Sequence, residues 1–501
     1  MEDALFRTKN ASQVAIIDRE TQTTYAHLQS HVQNFASKIL SEGVAPGERV
    51  AIYLDKSLES VVALFGIWRA GAVAVPIHPV LKARQVEYIL ENSGASRLVS
   101  DRRKIARLRA DPDRVPTVLE VGIESDERTP AAALGTPALP SANEERAAIL
   151  YTSGSTGRPK GILLSHQNLL AGARIVANYL EITDRERILS VTPFSFDYGL
   201  NQLLSSVLCN ATLVLARSNF PPDLCKLLED HEITGLAAVP PLWIQLRGRM
   251  SPFPTKSFPH LRYMTNTGGV LPEDVIQAYR NQLPHTKIVL MYGLSEAFRS
   301  TYLPPEQLAG RPTSMGQAIP ETTLYVVDEE GNEVPPNTIG ELVHRGPTVA
   351  MGYWANADAT AHVFRPDPVQ KDNELVVFSG DRVRRDAEGY FFFAGRADQM
   401  LKCQGYRLSP EEVEEQLFDS GLLREVVVVG RPDPEAGQLA GERIDVSRSA
   451  RSPCRDLTEA WHGRVRTAFQ RLRPGRQAGQ RERVERPRIP LPEAPPPDQV
   501  S

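Results

Sequence analysis

No lysine follows Lys402 in this 501-residue chain, so its last stretch offers no side-chain ammonium to any reaction. Cysteine is nearly as scarce. The four cysteines, at 209, 225, 403 and 454, include no C-x-x-C pair. They exclude a disulfide frame and read as free thiols of a cytosolic protein. Long apolar runs are missing as well. The longest are broken by Arg69 or by glycine and proline, so no transmembrane segment is expected. The start, Met1-Glu-Asp-Ala-Leu-Phe-Arg, lacks the apolar core of a secretory signal, and a cytoplasmic location is expected. Nor is there an excess of one charge. Lys and Arg number 57 against 61 Asp and Glu, a net charge of −4, which argues against nucleic acid as a partner.

What is present is an ordinary globular composition, 41% hydrophobic and 24% charged, over a length that suggests two to four domains. Short apolar runs alternate with helical spacing. Strand-like runs fall at 50–54, 72–77, 97–100, 212–216, 235–239 and 288–291, with helical spacing over 58–69. This alternation predicts α/β architecture with largely parallel sheets. From residue 323 to 395 the strands shorten and turn signals appear at Asp328-Glu-Glu-Gly331 and Asp386-Ala-Glu-Gly389. That predicts a smaller, more antiparallel β unit. Residues 129–143, rich in Ala, Pro and Thr, read as a surface connection.

The first chemical signal is Tyr151-Thr152-Ser153-Gly154-Ser155-Thr156-Gly157-Arg158-Pro159-Lys160-Gly161. Glycine lets backbone turn tightly and approach a ligand closely. Turned N–H groups with serine and threonine hydroxyls cradle phosphate oxygens, and Lys160 adds a point charge. The spacing is not that of Walker A. A flexible surface loop has the same composition. The flanks, 147–151 and 162–164, read as buried strands that fix the loop's ends.

Further motifs follow in order: Gly66-Ile-Trp-Arg-Ala-Gly71, Met291-Tyr292-Gly293-Leu294-Ser295-Glu296, Gly340-Glu-Leu342, Gly352-Tyr-Trp354, Ser379-Gly380-Asp381, and Gly395-Arg396-Ala-Asp398 running on through Lys402 and Gly405 to Glu411. With these motifs in this order, residues 10–440 resemble the adenylate-forming superfamily: acyl-CoA synthetases, amino-acid adenylation domains, D-alanine–carrier-protein ligases and luciferases. A narrower similarity is to the acyl-CoA ligases that accompany bacterial exosortase systems.

The resemblance implies an AMP-forming ligase that uses ATP and Mg2+. A carboxylic or amino acid becomes an acyl-adenylate, then passes to the thiol of CoA or an acyl-carrier protein. It implies catalytic roles for Lys160, Glu296 and Arg396. Nucleotide binding would fall to residues 152–157 with Tyr292 beside adenine, Ser295 at the α-phosphate and Asp381 on the ribose hydroxyls. Glu296 would be the metal ligand, because a carboxylate plus phosphate oxygens is a common way to hold Mg2+. Asp398 would be the hinge between domains, and Gly405 would approach the thiol in the second half-reaction. Asp197 and Tyr198, in Phe194-Ser-Phe196-Asp197-Tyr198-Gly199, fall where substrate is chosen. Asp197 pairs with a substrate ammonium group in one reading, since a buried carboxylate needs a partner. In the other it caps a helix at 199–208.

The expected domains are an AMP-binding N-terminal domain over 1–396, the start of a mobile, incomplete α+β C-terminal domain over 397–440, and a tail over 441–501. The tail is rich in arginine, ends near Pro495-Pro-Pro497 and has fading hydrophobic periodicity, so a packed core is not expected. It reads as a frameshifted or degenerate terminus, or as a divergent arginine-rich tail. By resemblance, a lysine in this region would serve the adenylation step. Its absence leaves a second function open: a catalytically impaired nucleotide- or acyl-binding remnant.

Overall fold

A computed structural model describes residues 10–108, 116–122, 146–152, 159–396, 401–403, 406–408, 425–433 and 437–445. The chain separates into two compact units, Met1–Ser449 and Ala450–Ser501. The second lies outside the described residues, as does the surface connection expected at 129–143.

The apolar runs become strands of two large sheets. One has nine strands, in the order Gln317–Ala318, Thr301–Leu303, Lys287–Tyr292, Tyr263–Asn266, Gly235–Ala238, Arg187–Ser190, Thr212–Leu215, Val14–Asp18 and Thr21–Thr24. Its six central strands, from Lys287–Tyr292 to Val14–Asp18, are parallel; the outer ones join antiparallel. The other has seven, in the order Gly352–Tyr353, Lys160–Ser165, Arg146–Thr152, Val73–Pro76, Arg49–Tyr53, Arg97–Ser100 and Thr117–Leu119, parallel from Arg146–Thr152 to the Thr117–Leu119 edge and antiparallel at the other end. Strands buried on both faces read as continuous apolar runs, which is why they are visible in the sequence.

The helix Leu58–Arg69 is buried at every position from Leu58 to Trp68 except Glu59. Ser57 and Ser60 bond reciprocally at its start, satisfying donors that would otherwise be orphaned. It lies in the main core, which draws Ile16 and Leu213 from the nine-stranded sheet and Val50, Ala74 and Leu150 from the seven-stranded one. The two sheets thus share a buried helical layer. Burial of this kind contributes ~25 cal/mol per Å² of apolar surface.

The antiparallel β unit also appears. Thr323–Val327, Ile339–Arg345, Leu375–Arg385, Phe364–Pro366 and Phe391–Arg396 form a five-stranded sheet. Both expected turns close on glycine: Gly331 N–H donates to the Asp328 carbonyl and Gly389 N–H to that of Asp386. A fourth sheet pairs Tyr406–Leu408, Leu401–Cys403, Gly437–Asp445 and Glu425–Asp433. Strand Gly437–Asp445 pairs along its whole length with Glu425–Asp433 and so runs through residue 440.

Candidate active site

The phosphate-loop candidate spans a hairpin. Strands Arg146–Thr152 and Lys160–Ser165 are antiparallel, with Thr152 opposite Lys160. Ser153, Gly154, Ser155, Thr156 and Gly157 lie outside the described residues, but the two ends that carry them are fixed. Past the second strand, Ser165 and Asn168 bond reciprocally at the start of helix His166–Tyr179. The Asn168 amide also donates to the carbonyls of Pro347 and Val349, each at 2.8 Å. The Met351 N–H bonds the Leu163 carbonyl at 2.9 Å, and the Ala350 N–H bonds the Glu296 carbonyl at 2.8 Å. Together these bonds place Tyr353 between Glu296 and Lys160.

There, the Tyr353 hydroxyl donates to Glu296 Oε1 at 2.8 Å, and the Lys160 ammonium stands 5.5 Å from the centre of the Tyr353 ring. Glu296 is 7% exposed, and its Oε2 has no hydrogen-bond partner. A buried, open carboxylate oxygen suits a hard cation that brings phosphate oxygens and water with it. Among the described residues, no three His, Cys, Asp or Glu groups converge into a self-sufficient metal cage. Tyr353 is visible in the Gly352-Tyr-Trp354 motif, but only the structure assigns it this contact.

The second cluster is set by strand register. Asp381 lies directly opposite Arg396 in the pair Leu375–Arg385 and Phe391–Arg396. Asp381 is 1% exposed; its Oδ1 accepts from Arg396 and its Oδ2 from the Tyr292 hydroxyl. Its own N–H donates to Ser379 Oγ at 3.1 Å, and Ser379 donates on to the Leu342 carbonyl at 2.7 Å. Gly380 between them has φ +68°, a conformation that costs glycine little. The Tyr292 ring stacks on His344, with centroids 6.2 Å apart. His344 is fully buried, neither of its ring nitrogens has a partner, and burial lowers its imidazole to about 3. Sequence reasoning passes over His344, because it is a lone histidine in a strand.

The third cluster surrounds Asp197. The structure corrects the helix-cap reading. The helix is Asp197–Leu208, the cap position is Phe196, and no side chain caps it. The first helical bond runs from the Leu200 N–H to the Phe196 carbonyl, so Asp197 is already inside the helix. Gly199 does not mark the start; a Cβ there would come within 2.2 Å of the Pro193 carbonyl oxygen. Asp197 instead turns inward, 5% exposed. Its Oδ2 accepts from Ser295 at 3.2 Å, and its Oδ1 lies 3.9 Å from the Arg299 guanidinium. Burial raises the Asp197 carboxyl above its ordinary value, against the opposite pull of Arg299 and Ser295. Ser295 thus meets Asp197 here. Tyr198 bonds the Thr265 hydroxyl and carries the Arg299 guanidinium 5.1 Å from its ring centre.

Sequence reasoning missed Arg299, although it stands three residues past Glu296. It also missed Lys56, which donates to the carbonyls of Ser190 and Thr192 and so steadies the segment leading to Asp197. Burial lowers the Lys56 ammonium to about 7. Asp398 and Gly405 lie outside the described residues.

The match to the family of AMP-binding enzymes covers residues 4–354. The chain is 32% identical over 429 residues to a linear gramicidin synthase of Brevibacillus parabrevis, covering 85% of this chain but only 5% of that synthase. It is 30% identical over 437 residues to the 3-hydroxybenzoate–CoA ligase of Aromatoleum sp. (strain CIB), covering 85% of this chain and 82% of the ligase. Its fold is similar to that of ATP-bound MatB from Rhodopseudomonas palustris, with a TM-score of 0.69, 26% identity and 90% coverage of each chain.

Proposed function

Since the chain belongs to the family of AMP-binding enzymes, we propose that it is an AMP-forming ligase that activates a carboxylic or amino acid with ATP. The acyl-adenylate then passes to the thiol of CoA or of an acyl-carrier protein. A CoA ligase among its relatives supports the first acceptor. The observation that carries this reading is a pair of contact clusters: Asp381 with Tyr292 and Arg396, and Tyr353 with Glu296 and Lys160.

In the first half-reaction the acid's carboxylate oxygen attacks the α-phosphorus of ATP and pyrophosphate leaves. Asp381 receives the ribose hydroxyls, since a carboxylate accepts several bonds at once. Tyr292 lies beside adenine, and Ser295 turns from Asp197 to the α-phosphate. The loop 152–157 and Lys160 hold the phosphates, and Arg396 offsets their charge. Mg2+, held by Glu296, would withdraw charge from the phosphate oxygens when bound. In the second half-reaction the thiol attacks the acyl carbon and AMP leaves. By the family resemblance, Asp398 serves as the hinge and Gly405 serves the thiol step, with the domain boundary after residue 396. Closing one domain in two ways lets one pocket serve both steps.

One observation favours the impaired reading: residues 403–501 contain no lysine. The two readings separate by acid-dependent exchange of pyrophosphate into ATP. A ligase exchanges label when its acid is supplied; a remnant binds nucleotide and exchanges none.

A further inference from the structure

The acid end of the site holds polar atoms that no described residue uses, and what they await rests on the ligase reading above. Arg299 is 3% exposed. One terminal nitrogen donates to the Phe298 carbonyl at 2.7 Å, and the other reaches the Asp197 carbonyl at 3.4 Å. Its Nε is buried with no partner. The nearest approach to the Asp197 carboxylate, 3.9 Å, makes an ion pair but not a hydrogen bond. Arginine stays charged and presents a planar fork suited to a carboxylate. Leaving a donor of that fork buried and unused is costly.

The surroundings also hold orphaned acceptors, which await a donor such as an ammonium group. Tyr198, beneath the guanidinium, bonds Thr265 near the C-terminal end of strand Tyr263–Asn266. Asn266, at that end, has an unpartnered buried Oδ1, and Gln202, on the helix that carries Asp197, an unpartnered buried Oε1. Ligands of open α/β sheets bind outside the C-terminal ends of parallel strands. Charge then narrows the class. Asp197 and Arg299 cancel each other. A ligand bringing only a second carboxylate would leave the buried site net negative, and one bringing only an ammonium would leave it net positive. A ligand bringing both keeps it neutral, and uncompensated buried charge is strongly unfavourable.

We propose that the acid activated here is a short amino dicarboxylate: its ammonium faces Asp197, its second carboxylate faces Arg299, and the remaining carboxylate reacts beside Ser295. The contact between Ser295 and Asp197, and of Asp197 with Arg299, keeps the three groups within a few bonds of each other.

The test uses four non-hydrolysable acyl-sulfamoyl adenosines on the full chain, with acyl groups of equal carbon count: aspartyl, succinyl, 2-aminobutyryl and butyryl. Binding does not depend on turnover. The aspartyl compound should bind tightest, ahead of 2-aminobutyryl by about tenfold or more, the range of a charge-assisted hydrogen bond. Arg299→Gln should erase the advantage of the second carboxylate and keep that of the amine; Asp197→Asn should do the reverse. Melting curves and ATP binding check that the variants fold. Should a variant fail to fold, the ranking in the unmutated chain still decides. Equal affinity for all four, or tightest binding of butyryl or 2-aminobutyryl, overturns the inference and leaves the ligase reading standing. Failure of a folded sample to bind any of them removes both.

Discussion

The proposed nucleotide end and the proposed acid end of the site differ in how far their polar groups are already used. At the nucleotide end, Asp381 is gripped by Tyr292, Arg396 and Ser379, so the carboxylate is positioned before any ligand arrives. At the acid end, Arg299 Nε, Gln202 Oε1 and Asn266 Oδ1 are buried with no partner. A group that is fully bonded must exchange partners to bind; a group left open gains a partner outright. The first arrangement suits a ligand common to a whole family, and the second a ligand chosen by this chain. Glu296 is intermediate in this respect, one oxygen bonded to Tyr353 and one open.

The comparison is broken most severely at Glu296. Glu296→Ala should lower acid-dependent pyrophosphate exchange by roughly 10²–10³, the range for losing one electrostatic stabiliser of a transition state. Exchange that is unchanged would remove Glu296 from the chemistry. Next comes Asp381→Ala, which should weaken MgATP binding by ~1–3 kcal/mol in calorimetry, because Tyr292 and Arg396 are left unpaired. Undiminished affinity would move the ribose elsewhere.

His344 gives a pH test. It is neutral in the fold down to about pH 3, while the unfolded chain takes up its proton near the ordinary histidine value of 6.5. Between these values the unfolded state binds more protons, so stability falls as pH falls. The contribution from this one group is about 1.4 kcal/mol per pH unit. His344→Phe should flatten that acid limb in chemical denaturation; an unaltered slope would show that His344 charges without cost.

Lys56 acts at the other end of the scale. Its folded value of about 7 lies below the ordinary 10.5, so the unfolded state holds the proton longer and stability rises with pH between the two. Lys56→Met should abolish that rise; persistence of the rise would assign it to another group. The smallest effect is expected from Tyr353→Phe, which should slow exchange by roughly tenfold or less through a freer Glu296, the scale of one ordinary hydrogen bond. A larger loss would give Tyr353 a direct role.

Much of the fold is legible in the sequence because buried strands announce themselves. The run at 50–54 is Arg49–Tyr53, and that at 235–239 is Gly235–Ala238. The motif around Tyr292 and Glu296 and the Ser379-Gly380-Asp381 triplet point to residues that the fold gathers. What escapes is long-range and unpatterned. Nothing near His344 in sequence foretells that Tyr292 stacks on it, and a lone arginine at 299 carries no periodic signal. The Asp197 helix starts two residues earlier than expected because Gly199 looks like a break along the chain. Its glycine is demanded by the Pro193 carbonyl, a packing constraint that no local pattern reveals. Conversely, the burial of Asp197 needs a partner on chemical grounds alone, and the fold supplies Ser295 and Arg299.

On the ligase reading, residues 403–501 hold no lysine that could bridge acid and ATP in the first half-reaction. The most direct measurement compares two rates on the same full chain: ligation from acid, ATP and thiol, and thioester formation from a supplied acyl-adenylate and the same thiol. Thioester formation from the adenylate should outrun the full reaction by roughly 10²–10³, the cost of one missing transition-state charge. Equal rates, with the full reaction running at the speed of its second half, would contradict this and show that another group supplies the charge.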